Sequence, residues 1–168
     1  MDSVTTTACP GCGLVLPKRD LSESERFNAS GECLDTFYEL TYWTLERRDV
    51  RFIHQHAVDA YEAQHAGGKT KPMTVAFGLI GLFLALEKGY TGRQVQRAHM
   101  VIARRQRDWP NLEPPSLRAV MTVHNVVEGA TDAEREELLM QWAASVWGIW
   151  EERHPWVREI TEKTLFSN

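Results

Sequence analysis

The sequence has few cysteines, no long hydrophobic run and no strong excess of charge. Its three cysteines, two of them within one short motif, are not the framework of a small secreted disulfide protein. The most apolar stretch, residues 73–86, is shorter than the roughly 20 residues of a membrane-spanning helix. Residues 1–8 lack the basic and apolar regions of a secretion signal. We therefore expect a soluble, cytoplasmic protein without a membrane partner.

The overall charge gives no indication of a nucleic-acid partner. The formal net charge is −4 at pH 7, so nothing in the overall balance draws the chain to nucleic acid. With 43% hydrophobic residues the chain can bury its own core. No run shows the alternation expected of strands, and no internal repeat is present.

Apolar residues recur at helical spacing in several segments. The first predicted helix covers residues 32–48, with Ser30 as its cap, and the second covers residues 51–66. A turn near Asp49 joins the two as an antiparallel hairpin. Further helices are predicted at residues 72–88, at 91–107, in a short stretch after Thr122, and at 131–154 and 155–166. The predicted fold class is all-α, with one compact helical domain of five to seven helices.

The N-terminal part lacks this periodicity. Within a single domain spanning residues 1–168, we expect a flexible tail at residues 1–8 and an irregular arm at residues 9–31. The helical domain follows at residues 32–168. Inside it, the proline-rich segment 109–121 predicts an extended crossover between helices.

The arm begins with the motif CPGCG, residues 9–13, in which proline and glycines bend the chain between two thiols. Together with Cys33 and a histidine, Cys9 and Cys12 give the Cys₃His set typical of structural zinc. A thiol redox pair is the alternative, but such pairs work at a helix N-terminus in a βαβ setting, which the sequence does not indicate. One structural zinc ion is the predicted cofactor.

Helix geometry indicates which histidine is the fourth zinc ligand. Cys33 lies about 16 residues before the hairpin turn at Asp49 and His65 about 16 after it, so both lie at the same end of the hairpin. His54 and His56 follow the turn closely, which leaves them roughly 13 to 16 Å from Cys33 along the axis. We therefore predict His65 as the fourth ligand, with His54 as the reserve if the hairpin differs.

The sequence contains no recognisable catalytic motif, so an enzymatic activity stays open. A hydrolase-type enzyme using a polar pocket around His54, Asp59 and Tyr61 is one alternative. A buried histidine with a hydrogen-bond partner is the commoner explanation for such a group.

Two further groups invite hypotheses about partners. The helix at 91–107 carries several arginines, which could bind phosphate or nucleic acid, although a solvated face paired with acidic neighbours is commoner. These arginines are Arg93, Arg97, Arg104, Arg105 and Arg107. Tryptophans 142, 147 and 150 cover more than one face of their helix, so one of them could reach the interface of a homodimer, although core packing is commoner.

The motifs together resemble an uncharacterised bacterial family of unknown function. The resemblance covers nearly the whole chain and rests on these segments: CPGCG (9–13), ASGEC (29–33), HQHAVDAYEAQH (54–65), the WP and EPP of the crossover, TVHNV (122–126) and WAASVWGIW (142–150). It implies a compact soluble protein whose pattern is matched by Cys9, Cys12, Cys33, His54, Asp59, Tyr61 and His65. His56 departs from that pattern. No activity, substrate or partner comes with the family.

We therefore interpret the chain first as a zinc-binding helical protein in which the metal is structural and the molecule acts as a binding or interaction module. The hydrolase is the alternative. A phosphate or nucleic-acid binder using the helix from Arg93 to Arg107 is the third hypothesis.

Overall fold

The computed structural model describes residues 3–167. Within that range it contains seven α-helices, which confirms the all-α class. They are α1 (Gly31–Glu46), α2 (His54–Gln64), α3 (Pro72–Lys88), α4 (Gly92–Arg105), α5 (Val123–Val127), α6 (Asp132–Ile149) and α7 (His154–Thr161). A 3₁₀ turn, Glu151–Arg153, precedes α7, and a π-turn, Glu162–Phe166, follows it.

Two short strands, β1 (Thr6–Ala8) and β2 (Val15–Pro17), form an antiparallel ribbon in which Thr7 pairs with Leu16. The prediction that the chain has no strands is wrong for this segment, because three-residue strands are too short to show an alternating pattern. The ribbon takes in part of the segment for which we predicted a flexible tail. Residues 1–2 of that tail lie outside the described range.

The α1–α2 hairpin forms with a longer turn than predicted. Ser30 caps α1 as expected, since its Oγ accepts a hydrogen bond of 3.2 Å from the backbone N–H of Cys33. The second helix begins at residue 54 rather than 51. Asp49 accepts from the backbone N–H of Arg51 at 2.9 Å, and Phe52 has a φ of +58°, which a helix cannot include. The turn therefore uses residues that hydrophobic spacing assigned to the helix.

Helix α2 lies at the centre of the fold and packs against α1, α3, α4 and α6. Its closest neighbour is α3, and Gly78 and Gly81 lie where the two helices meet. A Cβ at position 78 would lie 2.8 Å from the carbonyl oxygen of Asp59, and one at position 81 would lie 1.9 Å from Asp59 Oδ2. Only glycine permits this approach, which buries the Asp59 carboxyl group against the backbone of α3.

The tryptophans belong to the core. Trp142 Nε1 donates to Gln64 Oε1 at 2.9 Å, and Trp150 Nε1 donates to the carbonyl of Ala63 at 3.1 Å, so α6 is bound to the C-terminal end of α2. Trp142, Trp147 and Trp150, the three suggested for a homodimer interface, are all buried. This outcome follows from size, because a large ring whose N–H finds a partner stabilises a core.

The segment between α4 and α5 is an extended crossover, as its prolines predict, and α5 follows Thr122. Between residues 3 and 167, no helix combines the length and the apolar character needed to cross a lipid bilayer.

Candidate metal centre

Four side chains from three separate segments meet inside the protein. The ligand atoms of Cys9, Cys12, Cys33 and His65 all lie within 4.8 Å of one another. Cys12 Sγ is 3.8 Å from Cys33 Sγ, and Cys33 Sγ is 3.4 Å from His65 Nε2. Zinc with tetrahedral bonds of about 2.3 Å to sulfur and 2.0 Å to nitrogen separates two sulfurs by roughly 3.8 Å and sulfur from nitrogen by roughly 3.5 Å. The cluster therefore has the spacing of a metal site.

The knuckle between β1 and β2 presents the first two thiols. The backbone N–H of Gly13 donates to the carbonyl of Cys9 at 2.9 Å, and that of Cys9 donates to the carbonyl of Leu14 at 2.8 Å. Gly13 has a φ of +80°, a conformation that glycine adopts without strain. The N–H of Leu14 points at Cys12 Sγ from 3.5 Å, which favours a thiolate at that sulfur.

The knuckle packs directly on the other parts of the site. A Cβ at Gly11 would lie 2.3 Å from the carbonyl oxygen of Asn28 and 2.7 Å from Cδ2 of His65. On the outer side, Arg118 of the crossover donates to the carbonyls of Gly11 at 3.3 Å and Pro10 at 3.5 Å. The crossover thus covers the knuckle, a contact that the sequence did not indicate.

Cys33 lies in the first turn of α1, where the positive end of the helix dipole favours a thiolate. The hydroxyl of Tyr61 donates to Cys33 Sγ at 3.4 Å. The Tyr61 ring is stacked between Phe37, at a centroid distance of 4.0 Å, and His65, at 3.9 Å. This aromatic stack holds the hydroxyl group in place beside the sulfur.

The orientation of His65 suits a metal ligand. Its Nδ1 lies 2.7 Å from the carbonyl oxygen of Tyr61, while its Nε2 faces the sulfurs. Because a carbonyl oxygen only accepts hydrogen bonds, we assign the ring proton to Nδ1. When the imidazole is neutral, the Nε2 lone pair is free for an ion, which is the usual arrangement of a metal-bound histidine.

The thiols and the imidazole perturb one another's pKa values. Hydrogen bonds with Cys12 and Cys33 lower the pKa of Cys9, whereas contacts with Cys12 and Cys9 raise the pKa of Cys33. Burial lowers the pKa of His65, but contacts with Cys12 and Cys9 outweigh it and raise that pKa to about 9. A metal ion must therefore displace protons to bind, so its affinity rises with pH.

The histidine proposed as the reserve ligand lies elsewhere. His54 Nδ1 is 2.8 Å from Thr44 Oγ1 on α1, and burial lowers the pKa of its imidazole. The hairpin geometry thus brings His65 to the three cysteines and leaves His54 near the turn. That an ion occupies the cluster stays a prediction.

The three residues suggested as a catalytic pocket have separate partners. His54 contacts α1, Asp59 Oδ1 accepts from Gln55 Nε2 at 3.0 Å, and Tyr61 contacts Cys33. No hydrogen bond within residues 3–167 joins any two of the three side chains. The structure does not bring them together around one small space.

Asp59 is fully buried, and burial raises the pKa of its carboxyl group well above the usual value. The nearby carboxylate of Glu62 acts in the same direction, and Oδ2 has no hydrogen-bond partner among the described residues. A protonated carboxyl group satisfies these surroundings better than a carboxylate does.

The arginines of α4 do not form the acidic pairs that we expected. Arg93 lies over the ring of Phe52 with 4.3 Å to its centroid, and Arg105 donates to the carbonyl of Thr164 at 2.7 Å. Arg97 and Arg104 are exposed. Over the described range, none of the five arginines counted in the sequence has a carboxylate within 4.0 Å.

The fold and the site define a small helical protein with a buried Cys₃His cluster. The profile of a family of unknown function, DUF5946, matches residues 7–151, and the chain belongs to that family. The matched range includes all four residues of the cluster and helices α1 to α6. Comparison with curated proteins gives no match, and neither does comparison with solved structures.

Proposed function

We propose that this protein is a binding module whose fold is completed by one structural zinc ion held by Cys9, Cys12, Cys33 and His65. The enclosure of the donors carries the proposal: Cys33 and His65 are 0% exposed, Cys9 is 1% and Cys12 is 5%. Four protein ligands fill a tetrahedral shell, so no position is left for a reactive water molecule.

The donor chemistry favours zinc. Thiolates and imidazole together suit a tetrahedral, redox-inactive ion, whereas calcium and magnesium require oxygen ligands. A Zn²⁺ ion with three thiolates and a neutral imidazole carries one net negative charge. The N–H of Leu14 and the hydroxyl of Tyr61, both aimed at sulfur, offset part of that charge.

The ion would connect the arm to the helical part of the molecule. His65 ends α2, and its carbonyl accepts from Thr70 Oγ1, which in turn accepts from the backbone N–H of Asn28 at 2.8 Å. The side chain of Asn28 also donates to the carbonyl of Ala66 at 3.1 Å. Zinc would therefore fix both the knuckle and the end of the arm against the segment that leads into α3.

The proposal also places the protein in a reducing compartment. All three cysteines are free thiols, and their role as zinc ligands requires that they stay reduced. We therefore propose a cytoplasmic location.

Metal analysis tests the assignment. By elemental mass spectrometry we expect about one zinc per chain in the wild type. Cys33→Ser and His65→Asn should carry close to none, because each removes one of the four ligands and leaves the coordination shell of the ion incomplete. His54→Asn is the matched control and should keep its zinc. Equal zinc in the wild type and Cys33→Ser, or none in the wild type, would contradict the proposal.

The hydrolase hypothesis has no comparable support, because His54, Asp59 and Tyr61 have separate partners. The nucleic-acid hypothesis rests only on the unpaired arginines of α4, two of which already contact the protein itself. A binding role is favoured by a cleft beside α2.

A further inference from the structure

A cleft of about 700 Å³ opens between α2, α3 and α4. Residues 25–26 of the arm and residues 69–71 before α3 form its remaining wall. This volume lies in the range of small-molecule sites, which is roughly 300 to 1,000 Å³. The cleft is separate from the metal cluster, none of whose residues line it.

One half of the cleft is apolar and incompletely covered. Met73 is 44% exposed and Met100 is 56% exposed, and both line the space together with Phe77 and Val58. Methionine side chains adapt their shape to a ligand more readily than branched side chains do. Exposed apolar groups that face one another across a concave surface indicate a ligand with an apolar body.

The part of the lining that comes from the arm and from the segment before α3 carries an excess of positive charge. Arg26, Lys69 and Lys71 line it with only two carboxylates, Glu25 and Glu62. Arg26 donates to Glu62 Oε1 at 3.2 Å, so those two charges neutralise each other.

The remaining cations are weakly engaged. Lys69 Nζ is 4.0 Å from Glu25 Oε2, and the Glu25 side chain is 94% exposed, so water screens that pair. Lys71 has no carboxylate within 4.0 Å anywhere in residues 3–167. This part of the cleft is complementary to an anion.

The charged wall is linked to the metal cluster by hydrogen bonds. Arg26 lies two residues before Asn28, and Lys69 and Lys71 lie on either side of Thr70. The backbone N–H of Asn28 donates to Thr70 Oγ1, which in turn donates to the carbonyl of His65. A metal ion on His65 would therefore add support to a wall that these hydrogen bonds already position.

We propose that the cleft binds a small organic anion with an apolar body, its head group at Lys69 and Lys71 and its body on Met73, Phe77 and Met100. This inference rests on the proposed binding function and gives it a ligand class. A carboxylate and a phosphate monoester share this chemistry.

Titration calorimetry on the purified full chain tests the ligand class with four eight-carbon probes. We expect octanoate or octyl phosphate to bind at least about tenfold more tightly than octanamide, and octylammonium not to bind, because Lys71 attracts anions only. The stronger of the two anions identifies the head group. Equal binding of octanamide, or no binding of either anion up to about 10 mM, would overturn the proposal.

Variants locate the site. Lys71→Glu should weaken binding of the anion about tenfold or more, while Lys88→Glu, at the other end of α3, should leave it unchanged. Met100→Ser should weaken it several-fold, and Leu117→Ser, at a more exposed apolar residue outside the cleft, should not. Wild-type affinity in both Lys71→Glu and Met100→Ser would contradict the assignment.

Zinc content measured on the same samples separates the two proposals. If the wild type carries zinc but binds neither anion, the cleft proposal alone fails. If the wild type carries no zinc yet binds octanoate with the expected variant pattern, the metal assignment alone fails.

Discussion

The N-terminal arm and the helical part of this protein are held in place by different forces. Residues 3–30, which include strand β1 and are here called the arm, contain one short ribbon. They contribute few buried apolar side chains besides Phe27 and Ala29. The helical part buries many leucine, isoleucine, valine and tryptophan side chains, which stabilise it through the hydrophobic effect. A segment with so little buried area cannot offset its own loss of conformational entropy, so it needs bonds of another kind. In our proposal, metal bonds to the cysteines supply them.

Removal of the metal is the most direct test of this difference between the arm and the helical part. Chelation should release the arm and leave the helices folded, because the helices have a buried apolar core of their own and the arm has little. The lost stabilisation is about 4 kcal/mol where free zinc exceeds its Kd by 1,000-fold. Hydrogen exchange should show rapid loss of protection in β1 and β2, while α3 keeps its protection.

Leu79→Ala is the reciprocal control. Leu79 is fully buried in α3, so its truncation should lower the free energy of unfolding by about 3 to 5 kcal/mol. The variant should still bind zinc at full stoichiometry. Equal loss of protection in the arm and in α3 on chelation would show that the metal holds the whole molecule instead.

The same contrast explains what the sequence could predict. The starts of α1 and α4 were predictable because Ser30 and Thr91 are local caps, and the structure shows both hydrogen bonds. The start of α2 was not, because the side chain of Asp49 and the positive φ of Phe52 extend the preceding turn. The starts of α1 and α4 depend on a local capping residue. The start of α2 depends on a turn that overrides the apolar spacing.

The site divides in a similar way. The meeting of Cys9, Cys12, Cys33 and His65 followed from ligand spacing and from counting along a helical hairpin. Tyr61 was assigned to another pocket, although it precedes His65 by four residues and therefore shares its helix face. The cleft could not be predicted, because its walls come from segments whose packing only the tertiary structure reveals.

Acid pH should weaken the helical part independently of the metal. Burial lowers the pKa of His56 to about 4, although the charge of Asp49 acts in the opposite direction, and burial lowers the pKa of His99 to about 4. Between pH 6.5 and 4 the unfolded chain binds these protons and the folded chain does not, so stability falls as the pH falls. At pH 5.5 the loss is about 1.4 kcal/mol for each histidine.

Urea unfolding in the presence of a chelator measures this loss without a contribution from the metal. The difference in unfolding free energy between pH 7.5 and 5.5 should shrink in the double variant His56→Gln, His99→Gln. His124→Gln is the control, since 40% of that side chain is exposed. An unchanged difference in the double variant would show that other groups govern the acid sensitivity.

Tyr61→Phe should have the smallest effect, and it tests the junction between the two regions. The substitution removes the hydroxyl that donates to Cys33 Sγ but keeps the ring stacked between Phe37 and His65. Loss of such a supporting hydrogen bond lowers metal affinity about tenfold, or about 1.4 kcal/mol. Competition with a chromophoric chelator measures the zinc Kd, with the exposed Tyr42→Phe as control. If both variants match the wild type, the hydroxyl does not support the metal site, and the ring alone joins the helical core to the cluster.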